Sequence, residues 1–139
     1  MLSLPGISHV LGARLLAEFG DAPDRYVSAK ARRNYAGTAP ITVASGTSRY
    51  VRARHIRNKR LTDACWQWVL PALRTSPGAR AYYEAHNPGP HTGKTARRCV
   101  ANKLVGVLHG CLRDQAPYDE TLAFGTWIST TDGRLDEAA

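Results

Sequence analysis

Gly37-Thr38-Ala39-Pro40-Ile41-Thr42-Val43-Ala44-Ser45-Gly46-Thr47-Ser48-Arg49-Tyr50-Val51-Arg52 is the stretch of this chain that reads as β rather than helix. Ile41 and Val43 alternate with polar residues, Tyr50-Val51 lies beyond, and Ser45-Gly46 supplies a turn, so a small β-hairpin is expected. On both sides the apolar residues recur at helical intervals. The fold class that follows is mainly α: a helical bundle with one small hairpin or loop that carries a serine.

The same stretch opens a run of cations. Arg49, Arg52, Arg54, Arg57, Lys59 and Arg60 follow the serine, with His55 among them. No Asp or Glu lies between Asp24 and Asp63. A solvated surface intersperses both signs, so this clustering points to an anionic partner. The whole chain agrees: 139 residues carry 19 Lys and Arg against 11 Asp and Glu, a net charge of +8. Hydroxyl, flexible backbone and guanidinium groups together suit the phosphodiester backbone of a nucleic acid. Ser45 is the candidate nucleophile and Ser48 the runner-up, because a turn of open register can present either hydroxyl. The plain alternative for Ser45 is a turn serine before glycine. A serine hydroxyl needs a base or a metal to activate it, and no local acid is at hand. Tyr50 is read as a hairpin packing residue that could also stack on a base. His55 adds partial charge to the basic run.

Toward the amino terminus, Leu4-Pro5-Gly6-Ile7-Ser8 precedes a helical pattern that Gly20-Asp21 ends. This reads as the hairpin and second helix of a helix-hairpin-helix unit, in which the turn at Gly6 can offer amides to a phosphate. The first helix of such a unit would lie before Met1. Ser28 caps a short helix that Gly37 closes. From Leu61 to Leu73 a third helix is expected, with Trp66 on its apolar stripe, Trp68 off it as an interface candidate, and Pro71 weakening its end. Ser76-Pro77 starts a fourth helix, and Asn87-Pro88-Gly89-Pro90 breaks the chain. The last strong helix runs from about Thr92 to Arg113, with Lys94, Arg97 and Arg98 as a second phosphate-binding strip. Residues 1–118 form the expected domain and 119–139 a flexible tail, with Trp127 its one anchor.

Cys65, Cys99 and Cys111 form no Cys-x-x-Cys pair, and the five histidines show no metal-ligand spacing. Neither a cofactor nor a metal site is expected in this chain. No apolar run spans a membrane and no signal pattern opens the sequence, so a cytoplasmic, nucleoid-associated bacterial protein is expected.

The ordered set Leu4-Pro5-Gly6-Ile7, Leu15 to Asp21, Tyr35 to Pro40, Ser45-Gly46-Thr47-Ser48 with its basic run, Asn58 to Leu61 and Ala101 to His109 carries a resemblance. Over Leu4 to about Asp119 the chain resembles the carboxy-terminal transposase domain of the bridge-RNA-guided insertion-sequence recombinases, the one-hundred-and-ten family of insertion sequences. The resemblance implies DNA cut and rejoined through a covalent serine–DNA intermediate, with a structured guide RNA and an oligomer as partners. The family's serine matches Ser45. The divalent metal, magnesium, would be held by acids of an amino-terminal RuvC-like domain that this sequence lacks. A fragment needing that domain is therefore expected, inactive alone. A non-catalytic nucleic-acid-binding module, or a decayed transposase remnant, is the alternative.

Overall fold

The computed structural model describes residues 1–137, with the side chains of Pro23 and of 129–137 outside the description. Six α-helices and one two-stranded sheet follow in chain order: α1 His9–Phe19, α2 Ala29–Ala36, β1 Ile41–Ser45, β2 Ser48–Arg52, α3 Lys59–Thr75, α4 Pro77–Ala85, α5 Gly93–Arg113 and α6 Glu120–Glu137. A short 3-10 turn, Pro23–Arg25, joins α1 to α2.

Local chemistry sets most of the helix starts. The side chains of Ser8, Ser28, Asn58 and Ser76 accept from the backbone N–H groups of Leu11, Ala31, Leu61 and Ala79. Each satisfies a donor that the first turn leaves open. Gly37 ends α2 at φ +71, a left-handed conformation that glycine adopts without a side-chain clash.

The core lies where α1, α2, α4 and α5 meet α3. Leu15, Phe19, Leu61, Cys65, Trp68, Val69, Leu104 and Leu108 are fully buried there. Gly6 is part of this packing. Its φ is +72, and a Cβ on it would fall 2.5 Å from the Pro71 carbonyl carbon. The turn before α1 therefore lies flat on α3, and α3 runs through Pro71 to Thr75.

Two expectations change here. Trp68, not Trp66, is the core tryptophan: it is 0% exposed, and its Nε1–H donates to the Pro5 carbonyl at 2.8 Å. Trp66 is half-buried at the surface. Trp68 lies three and seven residues after buried Cys65 and Leu61, in the middle of the α3 stripe, and the turn before α1 supplies the acceptor for its ring N–H. The second change concerns 119–139. The described part is helix α6 rather than an open tail, and it seats Phe124 at 1% exposure. Glu120 Oε1 accepts from Ser76 Oγ at 2.6 Å and from the Gly78 amide at 2.8 Å. A carboxylate thus sits at the amino end of α4, where the helix dipole favours it.

Gly78 is the fit point of that contact, because a Cβ on it would overlap Phe124 and lie 2.8 Å from Glu120 Oε1. Gly78→Ala should lower stability by about 1–3 kcal/mol through overpacking. A fall in the urea midpoint with an unchanged slope is the expected result. Buried Cys65 gives a second expectation. Burial pushes its thiol up to about 12, so the folded chain holds this proton after the unfolded chain has released it. Stability carried by the protonated thiol is intact below about pH 8.5, the ordinary thiol value, and is lost as pH rises toward 12. Cys65→Ala should flatten that alkaline decline in a thermal melt series.

Candidate nucleic-acid interface

The hairpin is built by a two-residue loop, Gly46-Thr47, between antiparallel strands that end in the pair Ser45–Ser48. Gly46 has φ +56, which fits the glycine-first tight turn whose twist matches a hairpin. Cross-strand partners share a face, and faces alternate along each strand. Ser45 and Ser48 therefore share a face with Ile41, Val43, Tyr50 and Arg52, while Arg49 lies on the other with Thr42, Ala44 and Val51. The guanidinium of Arg52 sits 4.9 Å from the Tyr50 ring centre, so those two side chains are already in register beside the serines.

Both hydroxyls are exposed at the tip. Neither forms a hydrogen bond to a His, Asp or Glu among the described residues. Both strands are exposed apart from half-buried Ile41 and Val43. Val51 at 62% and Ile56 at 92% exposure add apolar surface beside them. A lone two-stranded hairpin is marginally stable in water, so a hairpin this exposed suits contact with a partner.

The cations that follow divide into two sets. Arg54 and Arg57 are tied to the protein. Arg54 Nη2 donates to Asn34 Oδ1 at 3.3 Å, Arg57 Nη1 donates to the Arg54 carbonyl, and the Arg57 stem lies across Gly37. They brace the loop from β2 to α3. Arg49, Arg52, Lys59 and Arg60 are exposed, and none enters an ion pair among the described residues. The ion pairs there are Arg14–Asp63 and Arg113–Asp114. Lys59 and Arg60 stand in the first turn of α3, which holds no acid. Trp66 borders this region in a shallow hollow with Arg57, Lys59, Thr62 and Asp63. Reading Trp66 as core hid it as an aromatic beside a cation cluster.

Lys94, Arg97 and Arg98 stand at i, i+3 and i+4 in the first turns of α5, so they form one strip. Lys94 and Arg97 are exposed and Arg98 is half-buried. Gly6 is separate from both groups, and packing on α3 accounts for its conformation.

Among the described residues no group of three or more His, Cys, Asp and Glu side chains is arranged to hold a metal. The described residues therefore do not fit the magnesium site of a nuclease. No described helix is long and apolar enough to cross a membrane.

A further cationic region was not visible in the sequence. Arg32 and Arg33 on α2 face α5, where the Arg33 guanidinium fills the space that a side chain at Gly106 would take. Arg32 lies under the Tyr26 and Phe19 rings, at 4.5 and 5.3 Å from their centres. Burial and the nearby Arg32, Arg113 and Arg33 hold the His109 pKa below its ordinary value.

Comparison with known proteins accords with this layout. The sequence profile described as Transposase IS116/IS110/IS902 family matches residues 1–84. The candidate transposase of the IS117 mini-circle from Streptomyces coelicolor is 43% identical over 124 residues, 89% of this chain and 30% of that protein. The uncharacterized 42 kDa protein of insertion element IS900 from Mycobacterium paratuberculosis is 33% identical over 119 residues, 85% of this chain and 30% of its own. The uncharacterized 43.6 kDa protein of IS110 from Streptomyces coelicolor is 29% identical over 132 residues. The chain thus spans about 30% of the length of the curated relatives it matches. With a profile matched over more than half its length, the chain belongs to the Transposase IS116/IS110/IS902 family.

Proposed function

We propose that this chain is the serine-bearing, DNA-handling domain of an insertion-sequence transposase. The observation that carries the proposal is the hairpin tip. Two exposed serines close it, Tyr50 and Arg52 share their face, and free cations follow in the chain. In this reading Arg49, Arg52, Lys59 and Arg60 hold successive phosphates and offset charge as it develops. Tyr50 and Trp66 offer aromatic faces to unstacked bases. Lys94, Arg97 and Arg98 form a second backbone contact, and the turn amides near Gly6 a third.

Ser45 Oγ attacks phosphorus. An Oγ–P bond forms, the bond from phosphorus to one sugar oxygen breaks, and that oxygen leaves as the strand end, taking up a proton. Attack by another sugar hydroxyl on the serine ester reverses the exchange and joins a new strand. The serine proton needs a base, which the described residues do not supply beside the tip. We assign that role, and the divalent metal, to the RuvC-like part of the family's proteins. A guide RNA and a second copy of the protein complete the proposed assembly, in the bacterial cytoplasm at the nucleoid.

The lack of a base at Ser45 favours one competing reading, a binding module without chemistry. Both readings predict salt-sensitive retention of DNA and no cleavage by the purified chain. They part when a RuvC-like domain of the family is added with magnesium. The strand-transfer reading predicts a covalent protein–DNA product, and the binding-module reading predicts none.

A further inference from the structure

Arg32 is 3% exposed, yet its Nε and Nη1 have no hydrogen-bond partner. Its flat faces are covered by Tyr26 and Phe19, so only edge donors remain. His109 Nδ1 and Arg33 Nε, nearby across the α2–α5 contact, are buried and unpartnered as well. Unpaired buried polar groups are costly, and a guanidinium cannot relieve the cost by losing its proton. As the side chains stand, these atoms are closed off from water as well as from protein acceptors. The cleft that Arg32 lines, with Tyr26, His109, Arg113 and Gln115, has a volume of about 420 Å³. That is many times the space one water needs and falls in the range of ligand sites. Asp24 also lines the cleft, and Asp114 lies beside Arg113, but neither reaches the free Arg32 donors. Asp114 is bound to Arg113 at 2.7 and 2.9 Å.

We propose that this α2–α5 cleft is a phosphate site for a nucleic-acid strand, separate from the hairpin, in which Arg32 and His109 bind one phosphodiester from below and Arg113 closes on it from the rim. Binding turns the Arg32 and His109 side chains toward the cleft, where one phosphate oxygen accepts from the Arg32 edge in a charge-assisted bond and a second accepts from His109 in its Nδ1–H form. Arg113 gives up part of its exposed pairing with Asp114, which is worth little in water. The volume leaves room for the sugars on either side. The assignment to a strand rests on the nucleic-acid reading above; the phosphate chemistry of the cleft does not.

The test is an NMR titration of the full chain, following the Arg32 Nε–H and His109 ring signals together with the hairpin amides. The probes are inorganic phosphate, a short single-stranded oligonucleotide and an acidic peptide. Phosphate and oligonucleotide should both shift Arg32 and His109 saturably, the oligonucleotide at lower concentration. Arg113→Gln, at an exposed position, should weaken phosphate binding at these signals about tenfold and leave the hairpin response unchanged. Arg32→Lys should weaken it further, with retained amide dispersion reporting that the fold survives. An oligonucleotide that shifts the hairpin and not Arg32 or His109 overturns this inference and leaves the proposed function standing. An oligonucleotide that shifts neither overturns the proposed function and the strand assignment together. Signals that respond to the acidic peptide but not to phosphate identify a protein carboxylate as the occupant and overturn the inference.

Discussion

Ser45→Ala should abolish the covalent protein–DNA product when the chain is combined with a RuvC-like domain of its family, while DNA retention survives. The substitution removes one exposed hydroxyl at the hairpin tip and leaves Arg49, Arg52, Lys59 and Arg60 in place. At such a position it should change stability by less than about 0.5 kcal/mol. Lost product therefore cannot be ascribed to lost fold, and equal melting temperatures would document this. Ser48→Ala is the paired control. Ser48 faces Ser45 across the last rung of the ladder, so it shares the neighbours but is displaced by one strand spacing. Most activity should remain in the Ser48 variant. A dead Ser48 variant with an active Ser45 variant would exchange their roles. Activity in both would leave the binding-module reading.

The second large effect is on affinity. The combined change Arg49→Ala, Arg52→Ala and Arg60→Ala removes three exposed cations without ion pairs among the described residues. If each meets one phosphate of duplex DNA, the slope of log K against log salt should fall in magnitude by about three, and low-salt affinity by orders of magnitude. Changing Arg54 and Arg57 instead should act differently. They brace the loop against Asn34 and Gly37, so their loss should lower stability along with affinity. A triple variant with an unchanged salt slope would remove the hairpin and α3 start as the contact surface.

How far these residues could be read in advance depends on whether the cause was local. The starts of α2 and α4, the ends of α1 and α2 and the presence of a hairpin were legible because Ser28, Ser76-Pro77, Gly20, Gly37 and Gly46 act within a few residues of themselves. The turn itself lies one residue later than expected, at Gly46-Thr47, with Ser45 closing β1. The two tryptophans were not. Trp66 and Trp68 are two residues apart and so on different faces of α3; Trp68 falls in line with buried Leu61, Cys65 and Ala72, and the Pro5 carbonyl completes its site. Helix α6 was missed for a similar reason. Among its described side chains Phe124 is the one large group that is fully buried, and its amino end is fixed by Ser76 and Gly78, more than forty residues earlier. Nothing local to Arg32 in the sequence marks it as buried. Only the tertiary placement of Phe19 and Tyr26 buries it. At the interface, the sequence showed the cations but not their division into bracing and free members, which hydrogen bonds to Asn34 and the Arg54 carbonyl decide.

The central claim is that the hairpin tip carries the atom that bonds to DNA. It is tested most directly by trapping the protein–DNA product on a strand that cannot be rejoined, digesting both components, and mapping the nucleotide remnant by fragmentation mass spectrometry. The account predicts a phosphodiester remnant on Ser45 and on no other residue of the chain. A remnant on a tyrosine, on another serine, or only on the added RuvC-like domain would contradict it.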